Sequence, residues 1–323
     1  MITSGEIYYS VAGHRFGLDF SADYPCLSHY EPFITDDKAD GSLFHLTVVG
    51  NSSDEQFCGV SADSERLCDA LGEGEQYNGL LNENELFDEG EQIGHFADDS
   101  AAIMVYGRNG GGYIFHIAPP DKERCCMIST SADYRLAYVR FEGNCAYHSF
   151  GLDNCLMLLY TFASAPLDTL MLHASVIKYK GAGFLFLGKS GTGKSTHSRL
   201  WLEHIEGCEL LNDDNPVIRV IDGKAMVYGS PWSGKTPCYK NDSAEVGAFV
   251  RLQQRPANEI VRNSVVQAFA ALKPSCSSAP WDKGIHSGIC DTLTKVIESV
   301  NTYTLGCLPD REAAELCRRT VAE

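Results

Sequence analysis

The chain lacks the long apolar runs and the leader features that mark membrane and secreted proteins. Its 323 residues contain no stretch approaching the roughly 18 uninterrupted apolar residues of a membrane-spanning helix. Residues 1–6 show neither the basic start nor the apolar run of a signal peptide. We therefore predict a cytoplasmic protein with no membrane partner. Hydrophobic residues make up 44% of the chain and charged residues 21%, which is ordinary for a globular protein with a packed core.

The cysteines lack the spacing that would give them a structural role. No Cys-x-x-Cys pair occurs among the 13 cysteines, and the adjacent pair Cys125 and Cys126 suits neither a zinc site nor an easy disulfide. The count is odd, and the chain is longer than a typical disulfide-stapled domain. We predict free thiols in a reducing compartment.

Basic residues are scarce in the first half of the chain. Residues 1–150 hold 8 Lys and Arg against 25 Asp and Glu, a net charge of −17, whereas residues 151–323 hold 18 of each kind. The whole net charge therefore lies in the first half, which indicates two distinct units. A surface this negative repels phosphate backbones, so we predict no nucleic-acid partner. A solvated acidic face that keeps the protein soluble accounts for the same charge.

Residues 1–150 are predicted to form an acidic, β-rich domain of unknown role. Apolar and polar residues alternate along 5–20, and two apolar runs flank a glycine-rich loop, which predicts a hairpin. The hairpin runs are 101–106 and 113–118, a further strand is predicted at 137–141, and a short helix at 62–71. The residues of this half suggest no catalytic or binding constellation.

Residues 151–323 show the pattern of an α/β domain. A helix is predicted at 152–162, a strand within 169–179, and a short apolar strand of the buried kind at 184–187. Helical spacing returns after Ser264, at 291–300 and 310–321. We predict a core at about 170–262 and a helical C-terminal part at about 264–323.

The apolar strand at 184–187 runs into a complete G-x-x-x-x-G-K-[ST] motif, the Walker A pattern. Its residues are Gly188, Lys189, Ser190, Gly191, Thr192, Gly193, Lys194 and Ser195. Helical spacing follows, so both flanks fit the motif. Glycines let backbone N–H groups turn inward around phosphates, and the helix adds its positive N-terminal end. We predict that these residues and Thr196 bind a nucleotide, with Lys194 on the β- and γ-phosphates and Ser195 on Mg²⁺.

A second literal match to the motif follows the first along the chain. It comprises Gly229, Ser230, Pro231, Trp232, Ser233, Gly234, Lys235 and Thr236. Pro231 has no N–H group where a phosphate loop needs one, Pro237 follows directly, and no helical stripe succeeds it. We interpret this segment as something other than a phosphate loop. A substrate loop and a plain turn both remain open.

An acid pair and one histidine complete the candidate site. Asp213 and Asp214 end a short apolar strand, and their spacing from Lys194 leaves room for one helix and one strand, so they return to the sheet edge beside the loop. One carboxylate can contact the metal while the other accepts a proton from an attacking hydroxyl. His173 precedes the strand before the loop, where a core role and a functional role both fit.

Together these motifs resemble the catalytic domain of HPr kinase/phosphorylase. The resemblance covers about residues 170–222 and rests on the run His173-Ala174-Ser175, the phosphate loop and the Asn-Asp-Asp-Asn run at 212–215. The chain is also similar to ATP-dependent phosphoenolpyruvate carboxykinase, whose loop reads Gly-x-Ser-Gly-Thr-Gly-Lys-Thr. Both families place a functional histidine where His173 stands. In the kinases it helps manage the proton of the target hydroxyl, and in the carboxykinases it contacts the metal.

The resemblance implies a fold and a reaction. The fold is α/β: a mixed-sheet P-loop kinase domain of HPr kinase/phosphoenolpyruvate carboxykinase type, preceded by the β-rich domain and followed by C-terminal helices. The reaction is transfer of the γ-phosphate of ATP, with Mg²⁺, to a hydroxyl, either a serine of a protein or peptide or a small molecule. Asp213 is expected nearer the metal and Asp214 as the base, although this division stays open. ATP against GTP, phosphorolysis and a homo-oligomer also stay open.

The chain departs from both families at identifiable positions. Thr196 stands where the kinases usually have Glu, and Asn215, Pro216 and Val217 stand where the carboxykinases have His and Trp. The second departure argues against decarboxylation of oxaloacetate. An ATP-binding regulatory module without phosphotransfer is the main alternative, and a carboxykinase-like enzyme is a lesser one. Three cations are candidates for steadying the transferring phosphoryl group: Lys235, Arg251 and Arg255.

Overall fold

The structure is a computed structural model that describes residues 5–20, 27–37, 41–49, 83–97, 100–234 and 236–323. The helix predicted at 62–71 and the candidate Lys235 lie outside these residues. The described chain divides into two compact units, the first within 1–10 and 14–163, the second comprising 11–13 and 164–323. The domain limits given by the sequence stay a prediction. None of the helices in the described part combines the length and hydropathy that a bilayer span demands.

A mixed sheet of nine described strands dominates the first unit. Its strands are β1 (Gly5–Val11), β2 (His14–Phe20), β3 (Ile34–Thr35), β4 (His45–Val49), β5 (Glu89–Ala97), β6 (Ala102–Arg108), β7 (Tyr113–Ala118), β8 (Cys126–Thr130) and β9 (Leu136–Phe141). They lie in the order β3-β1-β2-β4-β9-β8-β7-β6-β5. β4 runs parallel to β2 and to β9, and β9 to β5 form an antiparallel meander. The predicted hairpin of β6 and β7 is confirmed.

Helix α2 (His148–Ser164) covers an apolar face of this sheet. The ring of Phe162 on this helix stacks on Phe115 of β7 with 6.1 Å between ring centroids. Tyr160 packs edge-on against Phe16 of β2 with 6.0 Å between ring centroids. The helix predicted at 152–162 is thereby confirmed. A short helix α1 (Glu83–Leu86) and two 3-10 turns (Ser28–Phe33 and Cys145–Tyr147) complete the described part of this unit.

The second unit is a mixed sheet with helices. Its strands are β10 (Thr169–Met171), β11 (Ala174–Tyr179), β12 (Ala182–Leu187), β13 (Cys208–Asn212), β14 (Val217–Ile221), β15 (Lys224–Tyr228), β16 (Ser243–Gln254), β17 (Glu259–Arg262) and β18 (Thr302–Cys307). The helices are α3 (Lys194–His204), α4 (Val265–Leu272), α5 (Lys283–Ser299) and α6 (Arg311–Val321), with a 3-10 turn at Lys273–Ser275. The mixed α/β class predicted from the sequence is confirmed.

Strand directions in this sheet bring five carboxyl ends to one edge. The order is β10-β14-β15-β16-β12-β11-β13, with β18 on β16 and β17 on β18. β12 runs parallel to β16, and β16 parallel to β18, while β11 is antiparallel to both β12 and β13. β13, β12, β16 and β18 therefore point the same way, and so does β14, because β15 is antiparallel to both β14 and β16. We call the edge where these five strands end the carboxyl edge.

Strand β18 corrects the prediction of a helical C-terminal part at about 264–323. The helices predicted at 291–300 and 310–321 are present as α5 and α6, but residues 302–307 between them pair with β16 along six positions. The run Thr-Tyr-Thr-Leu is β-branched and aromatic, which suits a strand. Because it is short and flanked by strong helical periodicity, its own pattern does not stand out.

Helix α3 is anchored by a fully buried tryptophan. Trp201 has no solvent exposure, and its ring lies 5.4 Å from Phe184 and 5.5 Å from Phe186, both on β12. Its indole N–H donates to Nε2 of His197 over 3.2 Å, and burial lowers the pKa of His197 to about 4, so that imidazole is neutral. The cluster continues to Cys317 of α6. The helix is therefore fixed on the strand that leads into the glycine loop.

We predict that Trp201→Ala lowers the free energy of unfolding by about 3–5 kcal/mol, because it removes a large buried side chain and leaves a cavity. The neighbouring Leu202 is 40% exposed on the same helix, so Leu202→Ala is the matched control and should change stability by less than about 0.5 kcal/mol. Urea unfolding followed by circular dichroism measures both. Equal losses in the two variants would contradict this packing.

Candidate functional site

The glycine loop between β12 and α3 has a backbone that requires glycine. Gly191 and Gly193 have φ angles of +77° and +107°, in the left-handed region that side chains disfavour. At Gly188 an added Cβ would lie 3.0 Å from the side chain of Thr192. Thr192 closes the loop, since its N–H and its hydroxyl both donate to the carbonyl of Lys189, over 3.1 and 2.6 Å. Lys189 and Ser190 are exposed at the tip.

The first turn of α3 presents the donor end of a helix. Gly193 caps this helix and offers no side-chain acceptor, and the first intrahelical bond found there runs from His197 N–H to the Gly193 carbonyl, over 2.8 Å. The N–H groups of Lys194, Ser195 and Thr196 belong to this first turn, and the N–H groups of a first turn have no carbonyl acceptor within their own helix. Such a turn binds anions through these donors and through the helix dipole.

Lys194 lies folded back over the loop beside the acid pair. Its Nζ donates to the carbonyl of Gly188 over 3.1 Å, and the residue is 9% exposed. Burial lowers the pKa of Lys194, while the carboxylates of Asp214 and Asp213 act in the opposite direction. The sheet therefore brings the loop lysine and both aspartates within electrostatic reach of one another.

Asp213 is buried and tied to the helix through two serines. The residue is 6% exposed, and its Oδ1 accepts a hydrogen bond from the hydroxyl of Ser175 over 2.8 Å. The Ser175 hydroxyl also lies 2.6 Å from that of Ser198 on α3. The sequence alone does not predict this role of Ser175, and its place in the run His173-Ala174-Ser175 is the signal that could identify it. The pair of serines fixes the orientation of the carboxylate.

Asp214 and His173 face each other at the carboxyl edge. His173 Nδ1 lies 3.6 Å from Asp214 Oδ1, and the two side chains are 46% and 32% exposed. Asp214 is held by its own N–H, which donates to Asn212 Oδ1 over 2.9 Å, and by Asn215, whose amide donates to Asp214 Oδ2 over 3.1 Å. His173 is thus a half-exposed neighbour of the acid rather than a residue of the core.

The second glycine-rich segment, residues 229–234, lies against the acid pair. Asn212 donates to the Ser230 hydroxyl over 3.1 Å, and that hydroxyl donates to the carbonyl of Asn215 over 2.7 Å. A Cβ added to Gly234 would lie 2.9 Å from the carbonyl oxygen of Asp213 and 3.2 Å from the Cβ of Asp214. No helix follows in residues 229–234 and 236–242, so the segment lacks the architecture of a phosphate loop. Its position favours the substrate-loop interpretation.

The two described downstream arginines take different positions. Arg251 of β16 is level with Leu187 in the parallel pairing with β12, so it lies next to the start of the glycine loop. Farther along β16, Gln254 donates to the carbonyl of Gly191 over 3.3 Å. Arg255 instead donates to Gln253 Oε1 over 3.3 Å, and its stem packs over Gly306 of β18. Arg251 is therefore level with the start of the loop, whereas the side chain of Arg255 contacts Gln253 and β18.

The residues at this edge fit a nucleotide with a magnesium ion. The exposed Ser195 hydroxyl and the two aspartates are oxygen donors, the ligand type that Mg²⁺ prefers. The loop, the helix N-terminus and Lys194 supply the positive character that a polyphosphate needs. A cleft of about 440 Å³ lined by Tyr179, His204 and Arg318 lies at the opposite edge, because Tyr179 ends the antiparallel strand β11. The residues that fit a nucleotide thus lie at the carboxyl edge, outside that cleft.

The chain has distant structural likenesses among solved proteins. A solved structure of the HPr(Ser) kinase/phosphatase from Coxiella burnetii is similar to this chain with a TM-score of 0.29 and 13% sequence identity. The match covers 47% of this chain and 88% of that one. No protein-family model matches the chain, and no curated protein matches it either.

We predict that Ser175→Ala lowers the free energy of unfolding by about 1–3 kcal/mol, because it removes a donor from the buried Asp213 carboxylate. Ser198→Ala is the matched control, since it leaves the bond between Ser175 and Asp213 intact and should cost less. Chemical unfolding of the two variants compares them directly. A larger loss for Ser198→Ala would refute the role given to Ser175.

Proposed function

We propose that the chain is an ATP- and Mg²⁺-dependent phosphotransferase that moves the γ-phosphoryl group to a hydroxyl, preferably a serine of a protein or peptide. The observation that carries this proposal is the convergence of the glycine loop, Lys194 and the pair Asp213 and Asp214 at one edge of the sheet. Each part alone is common in proteins, but a phosphate-binding turn beside a buried lysine and two carboxylates is the set of groups that phosphoryl transfer requires.

Charge stabilisation is the first task of these residues. The N–H groups at the start of α3 and the ammonium of Lys194 would bind the phosphate oxygens, where negative charge is concentrated. The Ser195 hydroxyl and the Asp213 carboxylate would hold the magnesium ion. When bound, this ion would offset the negative charge of the phosphate groups. Arg251, level with the loop, offers a further cation. Because Asp213 is already oriented by Ser175, little reorganisation accompanies binding.

Proton transfer is the second task, and Asp214 is suited to it. Its carboxylate is partly exposed and accepts a hydrogen bond from the side chain of Asn215, and its backbone N–H donates to Asn212, so an incoming hydroxyl can reach the carboxylate in a fixed geometry. Asp214 would take the proton of the acceptor hydroxyl while the new oxygen–phosphorus bond forms and the bond to the leaving diphosphate breaks. His173, 3.6 Å away, would stabilise the charged carboxylate or pass the proton on to solvent.

The openness of the site favours a macromolecular acceptor. His173 and Asp214 are 46% and 32% exposed, so the reacting groups face solvent. A small substrate is usually enclosed by its pocket, whereas a serine on a protein or peptide loop brings its own surface to cover the reaction. Residues 229–234, packed on the acid pair, would form part of the surface that the acceptor contacts.

We predict that Lys194→Ala weakens binding of MgATP by about 10- to 100-fold, since hydrogen bonds to charged groups contribute about 1.5–3 kcal/mol. Lys189→Ala is the matched control. It removes an exposed lysine from the same loop but keeps the backbone N–H group, so its affinity should stay within about threefold of the original. Calorimetric titration of the full chain measures both. Unchanged affinity in Lys194→Ala would remove the basis of the proposed function.

We predict that Asp214→Asn keeps nucleotide affinity but lowers phosphotransfer by about 100- to 10,000-fold, because the amide cannot accept the proton. The assay incubates the chain with γ-labelled ATP, Mg²⁺ and cell extract and follows labelled products. Asp222→Asn is the control, since Asp222 is exposed in a turn with a φ of +51°, a conformation that asparagine tolerates.

The same assay separates the competing functions. Labelled protein that disappears with Asp214→Asn supports a protein kinase. Binding of MgATP that stabilises the chain but gives neither transfer nor hydrolysis would instead favour the regulatory module. Full activity of Asp214→Asn would contradict the assignment of the base.

A further inference from the structure

Three potential metal ligands meet on one face of the sheet in the first unit. Glu6 lies on β1, Asp19 on β2 and His45 on β4, three strands that are neighbours in the sheet. One carboxylate oxygen from each acid and one ring nitrogen of the histidine all lie within 4.8 Å of one another. The sequence analysis finds no constellation in this half, and the proposed phosphotransfer does not use these residues.

The strand register explains why these three residues meet. A two-residue turn joins β1 to β2, so Glu6 comes opposite Asp19 across the hairpin. β2 and β4 then pair in parallel, with Gly17 beside His45 and Asp19 beside Thr47. Because alternate residues of a strand share a face, Gly17 and Asp19 are on the same side of the sheet, and His45, beside Gly17 on the next strand, shares that side with Asp19.

The distance between the ligand atoms is longer than a hydrogen bond and leaves room for a metal ion. His45 Nδ1 is buried and has no hydrogen-bond partner, and it lies 4.0 Å from Asp19 Oδ2. A shared proton would draw such atoms to about 2.7–3.2 Å. A zinc ion lies about 2.0–2.2 Å from nitrogen and oxygen ligands, so the ligand atoms of a tetrahedral site are roughly 3.3–3.6 Å apart, and small side-chain rotations would bring these atoms onto one ion.

Neighbouring residues hold two of the ligands in place. The Tyr8 hydroxyl donates to Glu6 Oε1, and the Tyr8 ring packs edge-on against the His45 ring with 5.7 Å between centroids. A Cβ at Gly17 would lie only 2.6 Å from His45 Nδ1, so the glycine makes room for the imidazole. Residues that orient ligands in this way are a regular feature of metal sites.

We propose that Glu6, Asp19 and His45 form a binding site for a divalent transition-metal ion of the zinc type, with a fourth position open to solvent. One imidazole and two carboxylates are ligands that zinc accepts, whereas Ca²⁺ and Mg²⁺ prefer oxygen alone. Glu6 is exposed, so an ion reaches the site from solvent. The excess of acidic residues in 1–150 attracts cations to this part of the chain.

The test measures zinc binding to the full chain after metal has been removed with a chelator. Equilibrium dialysis against ZnCl₂ should show one ion more in the original chain than in Glu6→Gln, Asp19→Asn or His45→Ala, or an affinity at least tenfold higher at that site. Comparison with the variants is needed because cysteine thiols elsewhere also bind zinc. Glu31→Gln is the matched control, an exposed acid of the same unit outside the cluster, and should bind zinc as the original does.

Two further measurements keep the proposal falsifiable if His45→Ala fails to fold. Glu6→Gln changes an exposed side chain without changing its shape, and circular dichroism checks its fold. Substitution with Co²⁺ should give visible absorption bands that Glu6→Gln and Gly17→Ala weaken or remove, since the added methyl group displaces the imidazole. Zinc stoichiometry and affinity that are the same in the original chain, Glu6→Gln and Asp19→Asn would overturn the proposal.

Discussion

The antiparallel pairing of β11 with both β12 and β13 is the constraint on which the candidate site depends. β11 begins beside the end of β12, where Ala174 pairs with Leu187, and the N–H of Ala174 donates to the carbonyl of Asp214 over 2.8 Å. Strand β11, which His173 directly precedes, therefore has the glycine loop on one side and the acid pair on the other. A shift of one residue in either pairing would turn every side chain of β11 to the opposite face and separate Ser175 from Asp213.

Packing beneath the loop reinforces this constraint. Trp201 and the phenylalanines of β12 fix α3 on the sheet, so the donor end of the helix and Lys194 are positioned by a core with no solvent exposure at its centre. The hydrogen bonds from Ser198 to Ser175 and from Ser175 to Asp213 extend the same rigidity to the carboxylate. A buried acid held in this way costs little to orient when a ligand binds, which is the advantage that preorganised sites have over mobile ones.

The parts of the site that the sequence predicts are those encoded by neighbouring residues. The glycine loop, its flanking strand and helix, and the acid pair each depend on a short run, and the structure places them together. What the sequence does not predict depends on contacts between distant segments. Gly234 lies against Asp214, β18 enters the sheet between two helices, and Glu6, Asp19 and His45 meet only because β2 and β4 pair in parallel. None of these contacts leaves a periodic or local pattern, since each requires the strand order to be known first.

The donor atoms of the two proposed metal sites would select different ions. The edge beside the glycine loop offers hydroxyl and carboxylate oxygens, which suit Mg²⁺ and bind it best when phosphate oxygens complete its shell. The cluster on the first sheet includes an imidazole, and nitrogen ligands favour zinc and related ions over magnesium. Because Mg²⁺ prefers oxygen ligands, it would compete poorly with zinc for a site that includes an imidazole nitrogen. The two ions could therefore be held by one chain at the same time, each in the unit whose side chains match its chemistry.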